Sequence, residues 1–270
     1  FPEDKFRLVE AFQRRGHGVG MCGDGANDAP ALRQAQMGIA VSTATDVAKS
    51  AAGVVLTTPG LGGIVGCITE GRAAFQRVLT FALTMLINKS VALLLLGAGL
   101  VMTGHAVMTP LLQALSMLAS DMVTMARAAD RARPSPYPNR WRIRHLVLAA
   151  APLGLWKFAY CLGVLAAGWF WRGFSPVQMQ TLTFLTLVFA GQANTYAMRE
   201  HGRMWSSRPA PIMLVASGAD LAVVTTLALA GVLMAPLPAA VVGLLLAASA
   251  GFALVLDTLK VAVLRRVRID

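Results

Sequence analysis

Two patterns divide the chain. Over residues 1–77 apolar and polar positions alternate in short runs, whereas from Val78 to Val263 long apolar stretches follow one another with short polar loops between them. A boundary near Arg77 is predicted. In the first part, Pro2-Glu3-Asp4 reads as a helix start, with Pro early and acids in the first turn. Phe6, Val9 and Phe12 continue that helix beside Leu8 and Ala11, and Gly16 ends it. Val19–Cys22 reads as a short strand, Gly23–Gly25 as a tight loop and Ala29–Ala35 as a second helix. Met37–Val41 reads as a second strand, Thr45–Ala51 as a third helix and Val54–Leu56 as a third strand. Strands separated by helices predict a parallel sheet of the doubly wound type. Three strands make up about half of such a domain, so the chain reads as cut from a larger protein. Its start at Phe1, with no signal peptide ahead of it, reads the same way.

The second part reads as membrane helices. Apolar runs near 78–103, 107–126, 146–170, 177–197, 211–234 and 237–262 are each long enough to cross a bilayer. Composition agrees: 56% of residues are hydrophobic, only 14% are charged, and mean hydropathy is +0.61. A soluble surface needs far more charge. The net charge of +11 could mark nucleic acid, anionic lipid or membrane topology. Its placement decides. The loop 127–145 carries Arg127, Arg131, Arg133, Arg140, Arg142 and Arg144; the loop 198–210 carries Arg199, Arg203 and Arg208; the tail carries Arg265, Arg266 and Arg268. The opposite loops near 104–106 and 235–236 have no Lys or Arg, and the one near 171–176 has only Arg172. This alternation predicts that residues 1–77 and the C-terminus are cytoplasmic, and because the loops lack the aromatic and basic interleaving of a nucleic-acid surface, membrane topology is the stronger reading and no nucleic-acid partner is expected. Trp169, Trp171 and Trp205 fall at helix ends, as aromatic belts do. Cys22, Cys67 and Cys161 are odd in number and far apart, so neither a disulfide framework nor a zinc site is expected.

The chemistry concentrates in Gly23-Asp24-Gly25-Ala26-Asn27-Asp28-Ala29-Pro30, directly after a predicted strand. Open parallel sheets bind ligands at the carboxyl ends of their strands. Gly23 and Gly25 let the backbone turn and approach a phosphate closely. Asp24 and Asp28 are hard oxygen ligands suited to Mg²⁺, which takes one or two carboxylates plus phosphate oxygens. Asn27 can donate to a phosphoryl oxygen without adding charge. Asp28 and Ala29 also begin a helix, so the Asp28 side chain could instead be a plain helix cap.

The string Gly23 to Leu32 resembles the hinge motif of P-type ATPases, and Phe1-Pro2-Glu3-Asp4-Lys5 resembles the family's short lysine-bearing motif. The resemblance implies a partial haloacid-dehalogenase-like α/β phosphorylation domain over residues 1–58. A stalk helix over 59–77, a six-helix all-α membrane domain over 78–264 and a cytoplasmic tail over 265–270 would follow. It implies that Lys5 contacts the phosphoryl group, that Asp24 ligates Mg²⁺, and that Asn27 and Asp28 complete the phosphate site. Phosphoryl transfer is mostly positioning and charge neutralisation, which suits these residues. Cys22 and Ala26 stand where the family usually has Thr and Val, both conservative changes.

Two further strings resemble the plasma-membrane proton-pump branch. They are Thr58-Pro59-Gly60-Leu61 with Arg72 to Arg77, and Arg133 to Pro138 with Trp141. Asp121 then matches the aspartate with which that branch carries its ion, although Ser120 and Met122 replace the branch's Asn and Gly. Asn88 and Lys89 lie mid-way along the first membrane run, and Lys89 could pair with Asp121. The alternative is a structural ion pair between two helices. Lys157, Gln192, Asn194, Asp220 and Asp257 read as interhelix hydrogen-bond partners with no ion role. Without a Cys-Pro-Cys, soft-metal pumping is not expected.

Taken together, these features predict the C-terminal part of an ATP-driven cation pump in the plasma membrane. It would export H⁺ and use Mg²⁺ and ATP. The phosphorylated aspartate of the Asp-Lys-Thr-Gly-Thr motif would come from the missing N-terminal portion. Alternatives are a pump for Ca²⁺, Mg²⁺, K⁺ or Na⁺, a non-catalytic remnant acting as a membrane scaffold, or a haloacid-dehalogenase-like phosphatase fused to a membrane anchor.

Overall fold

The computed structural model describes residues 1–60, 62–128, 130, 143–200 and 202–267. The string Arg133 to Pro138 with Trp141, the arginines at 131, 140, 142 and 268, and Leu61 lie outside the described residues. The chain forms two compact units, Phe1–Gly71 and Arg72–Asp270.

The first unit opens with helix α1 (Pro2–Arg14), which has Pro in its first turn, Glu3 and Asp4 beside it, and Val9 as its buried residue. Gly16, at φ +81°, turns the chain out of it, a conformation glycine adopts without a side-chain clash. Strand β1 (Gly20–Gly23), helix α2 (Ala29–Gln34), strand β2 (Met37–Ala40), helix α3 (Asp46–Ala51) and strand β3 (Val54–Val55) follow. The strands are parallel and in the order β1-β2-β3, with Cys22 opposite Ile39 and Ala40 opposite Val55. Each parallel step needs a crossover, and α2 and α3 supply it. The order is consecutive, so the reversal that defines a doubly wound sheet is not among the described strands. Leu32, Ala40, Ala44 and Ala48 form the core. Gly38 brings α2 close to β2: a Cβ there would lie 2.3 Å from the Leu32 carbonyl oxygen.

The second unit is helical. Helix α4 (Gly62–Thr103) begins before the division between the units. It is followed by α5 (Pro110–Ala128), α6 (Ile143–Ala166), α7 (Pro176–Ala197), α8 (Pro211–Ala230) and α9 (Ala239–Val267). A wide π-turn at Ala167–Trp171 extends α6. Ser175 caps α7: its Oγ accepts from the Gln178 N–H at 3.3 Å, while Gln178 Oε1 accepts from the Ser175 N–H at 3.2 Å.

Helix α7 is the central element, packed on α5, α6, α8 and α9 and buried along most of its length. Two of its threonine hydroxyls are satisfied within the helix. Thr183 donates to the Met179 carbonyl at 2.8 Å and Thr186 to the Leu182 carbonyl at 2.7 Å. Among the described residues, four helices are long and apolar enough to cross a membrane: Gly62–Thr103, Ile143–Trp171, Pro211–Ala230 and Ala239–Arg266. The other two expected spans, α5 and α7, form as helices but fall outside that set. Helix α7 faces protein, not lipid, and so carries Thr, Gln and Asn where a lone span would carry Leu.

The loop after α7 is not a simple solvated run of arginines. Arg199 is buried, with Nη1 3.4 Å from Asp130 Oδ2. Asp257 Oδ1 accepts from the Met204 N–H at 2.9 Å and from Lys260 Nζ at 2.7 Å, which ties the loop to α9. Trp205 is exposed under the Arg203 guanidinium, 5.4 Å from its ring centre.

Candidate functional site

The acidic loop sits at the carboxyl end of β1. Its backbone is pinned from the β2–α3 connection: the Val41 N–H donates to the Gly23 carbonyl at 3.3 Å and the Thr45 N–H to the Asp24 carbonyl at 2.8 Å. A single 3-10 turn, Ala26–Asp28, then rotates Asp28 back towards the strand. Asp28 is buried at 4% exposure. One carboxylate oxygen accepts from Lys5 Nζ at 2.6 Å and the other from the Asp24 N–H at 3.3 Å. The side chain makes no capping hydrogen bond to α2, so the helix-cap reading does not hold.

Lys5 thus reaches from the first turns of α1 into the acidic loop, 23 positions along the chain. Its hydrogen bond and charge hold the Asp28 carboxyl below the usual carboxylate range, helped by the backbone N–H groups of Asp24 and Gly25 and opposed by burial. Reciprocally, Asp28 raises the Lys5 ammonium above its ordinary value, with a smaller contribution from Asp24. Gly23 leaves the space for this arrangement, since a Cβ there would lie 2.7 Å from the Asp28 Cβ and 2.8 Å from its Oδ2. Asp24 and Asn27 are exposed, and their side chains make no hydrogen bond or ion pair with the described residues. The loop therefore holds one neutralised carboxylate and presents one free carboxylate and one free amide.

That donor set fits Mg²⁺ as a protein site of low denticity. The free Asp24 carboxylate is a hard ligand, and an ion of this type draws its other ligands from phosphate and water. Among the described residues no group of three or more His, Cys, Asp or Glu forms a closed cage.

The polar residues of the second unit gather elsewhere than expected. A cavity of about 70 Å³ lies between α4, α5, α6, α7 and α8. Asn88 faces it, and its Oδ1 accepts from Lys157 Nζ at 2.5 Å and from Asn194 Nδ2 at 2.9 Å. Arg127 closes another side, donating to Thr84 Oγ1 at 2.9 Å. Gln192 donates to Asp220 on α8.

The expected pairing of Lys89 with Asp121 is corrected: no ion pair joins them. Lys89 lines the cavity, but Asp121 is exposed and does not. The cause is helix phase. Ser116, Ser120, Thr124 and Arg127 of α5 face the cavity, and Asp121 lies about 100° round from Ser120. The sequence reading missed the cavity roles of Lys157, Gln192 and Asp220, and Asn194 as a support of Asn88. Their one signal is ionisable or amide chemistry inside apolar runs, which names candidates but not partners.

Residues 7–68 match the family of haloacid dehalogenase-like hydrolases. The whole chain aligns with a protein of Methanocaldococcus jannaschii whose name places it provisionally among the cation-transporting ATPases. The identity is 32% over 273 aligned positions, covering 100% of this chain and 34% of that relative. The chain therefore spans about a third of the relative's length. The chain is thus similar to haloacid-dehalogenase-like hydrolases near its start and, along its full length, to a protein named as a cation-transporting ATPase.

Proposed function

We propose that the chain is the C-terminal part of an ATP-driven P-type cation pump that exports H⁺ and cycles through an aspartyl phosphate. The observation that carries the reading is the 2.6 Å contact between Lys5 and Asp28. It joins two motifs distant in sequence at the strand end where such sheets bind phosphate. In the complete protein a carboxylate supplied by other polypeptide attacks the γ-phosphorus of ATP; ADP leaves, and water later hydrolyses the acyl phosphate. Bound Mg²⁺ would neutralise phosphoryl charge, with Asp24 as its protein ligand. Lys5 is half-exposed and so can turn from Asp28 to a phosphoryl oxygen. Asn27 donates a neutral hydrogen bond to the same group, and Gly23 and Gly25 keep the backbone close. Asp28 holds Lys5 in place and keeps it charged.

Six helices, α4 to α9, cross the plasma membrane in this reading. Residues 1–58 belong to the phosphorylation domain, 59–77 to a stalk and 265–270 to a tail, with both ends cytoplasmic. The basic loops support that orientation. H⁺ is preferred to a metal cation because the cavity carries Lys89, Arg127 and Lys157 against Asp220 alone.

The test is phosphorylation of the complete protein from labelled ATP. Asp24→Ala with Asp28→Ala is expected to abolish acyl-phosphate formation and breakdown, and Lys5→Ala to slow both. A double variant that forms and discharges the intermediate normally would overturn the reading.

A further inference from the structure

The cavity lies in the Arg72–Asp270 unit and holds four titratable side chains: Lys89 from α4, Arg127 from α5, Lys157 from α6 and Asp220 from α8. Three are cations, and two of those are already engaged. Lys157 is buried at 1% exposure with its ammonium on Asn88, and Arg127 is held on Thr84. Both lone pairs of the Asn88 oxygen are filled, by Lys157 and Asn194, so that oxygen cannot ligate an incoming ion. A metal cation entering the cavity would meet the fixed positive charges of Lys157 and Arg127.

Among the described residues Asp220 is the cavity's single anionic group. It stands mid-way along α8 at 7% exposure. Among the described residues no Lys or Arg lies within ion-pair distance of it, and its partner is the neutral Gln192 amide. A carboxyl group at membrane depth without a counter-ion is costly to keep for packing alone. A second observation points to a guest in the same space: Gln113 Oε1 lines the cavity and is buried without a hydrogen-bond partner. The cavity, about 70 Å³, is roomy enough to hold water.

We propose that Asp220 is the carboxyl group that exchanges the transported proton with water in this cavity. Lys157 and Arg127 act as built-in positive charges that exclude metal cations. This rests on the pump reading above and names the group within it. In the step, an Asp220 carboxylate oxygen accepts a proton relayed from bulk as hydronium, which leaves a neutral water in the cavity, and in the other state it returns the proton to a water, which departs as hydronium; Gln192 donates to the second oxygen throughout. Asp121 does not line this cavity.

The experiment uses the complete protein in proteoliposomes, with acyl-phosphate formation and proton uptake read in parallel. Asp220→Asn is expected to form the acyl phosphate at the wild-type level while losing proton uptake by about tenfold or more. Asp220→Glu should recover part of that uptake. Infrared difference spectra should show a protonated-carboxyl band that disappears in Asp220→Asn and shifts in Gln192→Leu, a signature that a packing role would not give. Normal proton uptake by Asp220→Asn overturns the assignment and leaves the pump reading intact. The same holds if wild-type protein forms the acyl phosphate but carries a metal ion. Wild-type protein that forms no acyl phosphate overturns both. If Asp220→Asn does not fold, the wild-type infrared band and the Asp220→Glu uptake decide: absence of the band, or uptake unchanged in the presence of a band at another carboxyl, refutes the assignment.

Discussion

A methyl group at position 23 would lie 2.7 Å from the Asp28 Cβ, closer than unbonded carbons approach. Gly23→Ala is therefore expected to push Asp28 off Lys5 and lower acyl-phosphate formation by about tenfold or more, with membrane insertion unchanged. Single-turnover phosphorylation of the complete protein measures it. The ion pair also sets a pH window. Asp28 titrates below its ordinary range, so its contribution is present above that range and is lost as pH falls through the lowered value. Lys5 titrates above its ordinary value, so its contribution is full below about 10.4 and fades as pH rises through the raised value. The pair is intact across neutral pH. Lys5→Gln removes the largest cause of the Asp28 shift, and carboxyl NMR should show Asp28 titrating closer to the usual carboxylate range. The loop residues themselves were legible in the sequence, because eight positions in a row carry turn, metal-ligand and phosphate chemistry. That Asp28 turns inward to Lys5 while Asp24 and Asn27 stay outward was not, because that choice depends on the 3-10 turn at Ala26–Asp28.

Among elements, α2 and β2 touch backbone to backbone at Gly38. Gly38→Ala would set a Cβ 2.3 Å from the Leu32 carbonyl oxygen, which cannot move without shifting α2. Overpacking of this kind costs about 1–3 kcal/mol, and faster hydrogen exchange of the β1 and β2 amides in the complete protein would report it. Helix α9 offers a second case. Asp257 and Lys260 are both fully buried and bonded to each other, and Asp257 also holds the Met204 N–H. Removing one partner of such a pair costs about 3–5 kcal/mol, so Asp257→Ala is expected to lower the thermal unfolding temperature in detergent clearly. An unchanged transition would show that the pair contributes little. The sequence located these helices well. Helix α7 was expected over 177–197 and forms over Pro176–Ala197, because Ser175, Pro176 and Gln178 mark its start. Short strands were less exact: β1 runs Gly20–Gly23 where Val19–Cys22 was expected, since a four-residue strand ends where its partner lets it.

At the scale of the whole second unit, the sequence showed which residues are polar in an apolar setting but not which ones meet. Asn88 and Lys89 are adjacent in sequence, yet Asn88 is tied to α6 and α7 while Lys89 makes no such bond. Only the packing of five helices separates them. The expected partner, Asp121, looks outward, and the carboxyl group inside comes from α8, where nothing nearby in sequence singles it out.

The protein-facing character of α7 bears on how the molecule is made. Each helix leaving the ribosome partitions into lipid by its own apolarity, and a segment bearing Thr181, Thr183, Thr186, Gln192 and Asn194 gains little from doing so alone. If α7 spans the bilayer, it enters as the second arm of a hairpin with the strongly apolar α6, and α5 enters likewise behind α4. Biogenesis would then proceed in pairs, and a nascent chain released between α6 and α7 would be unable to finish its own topology.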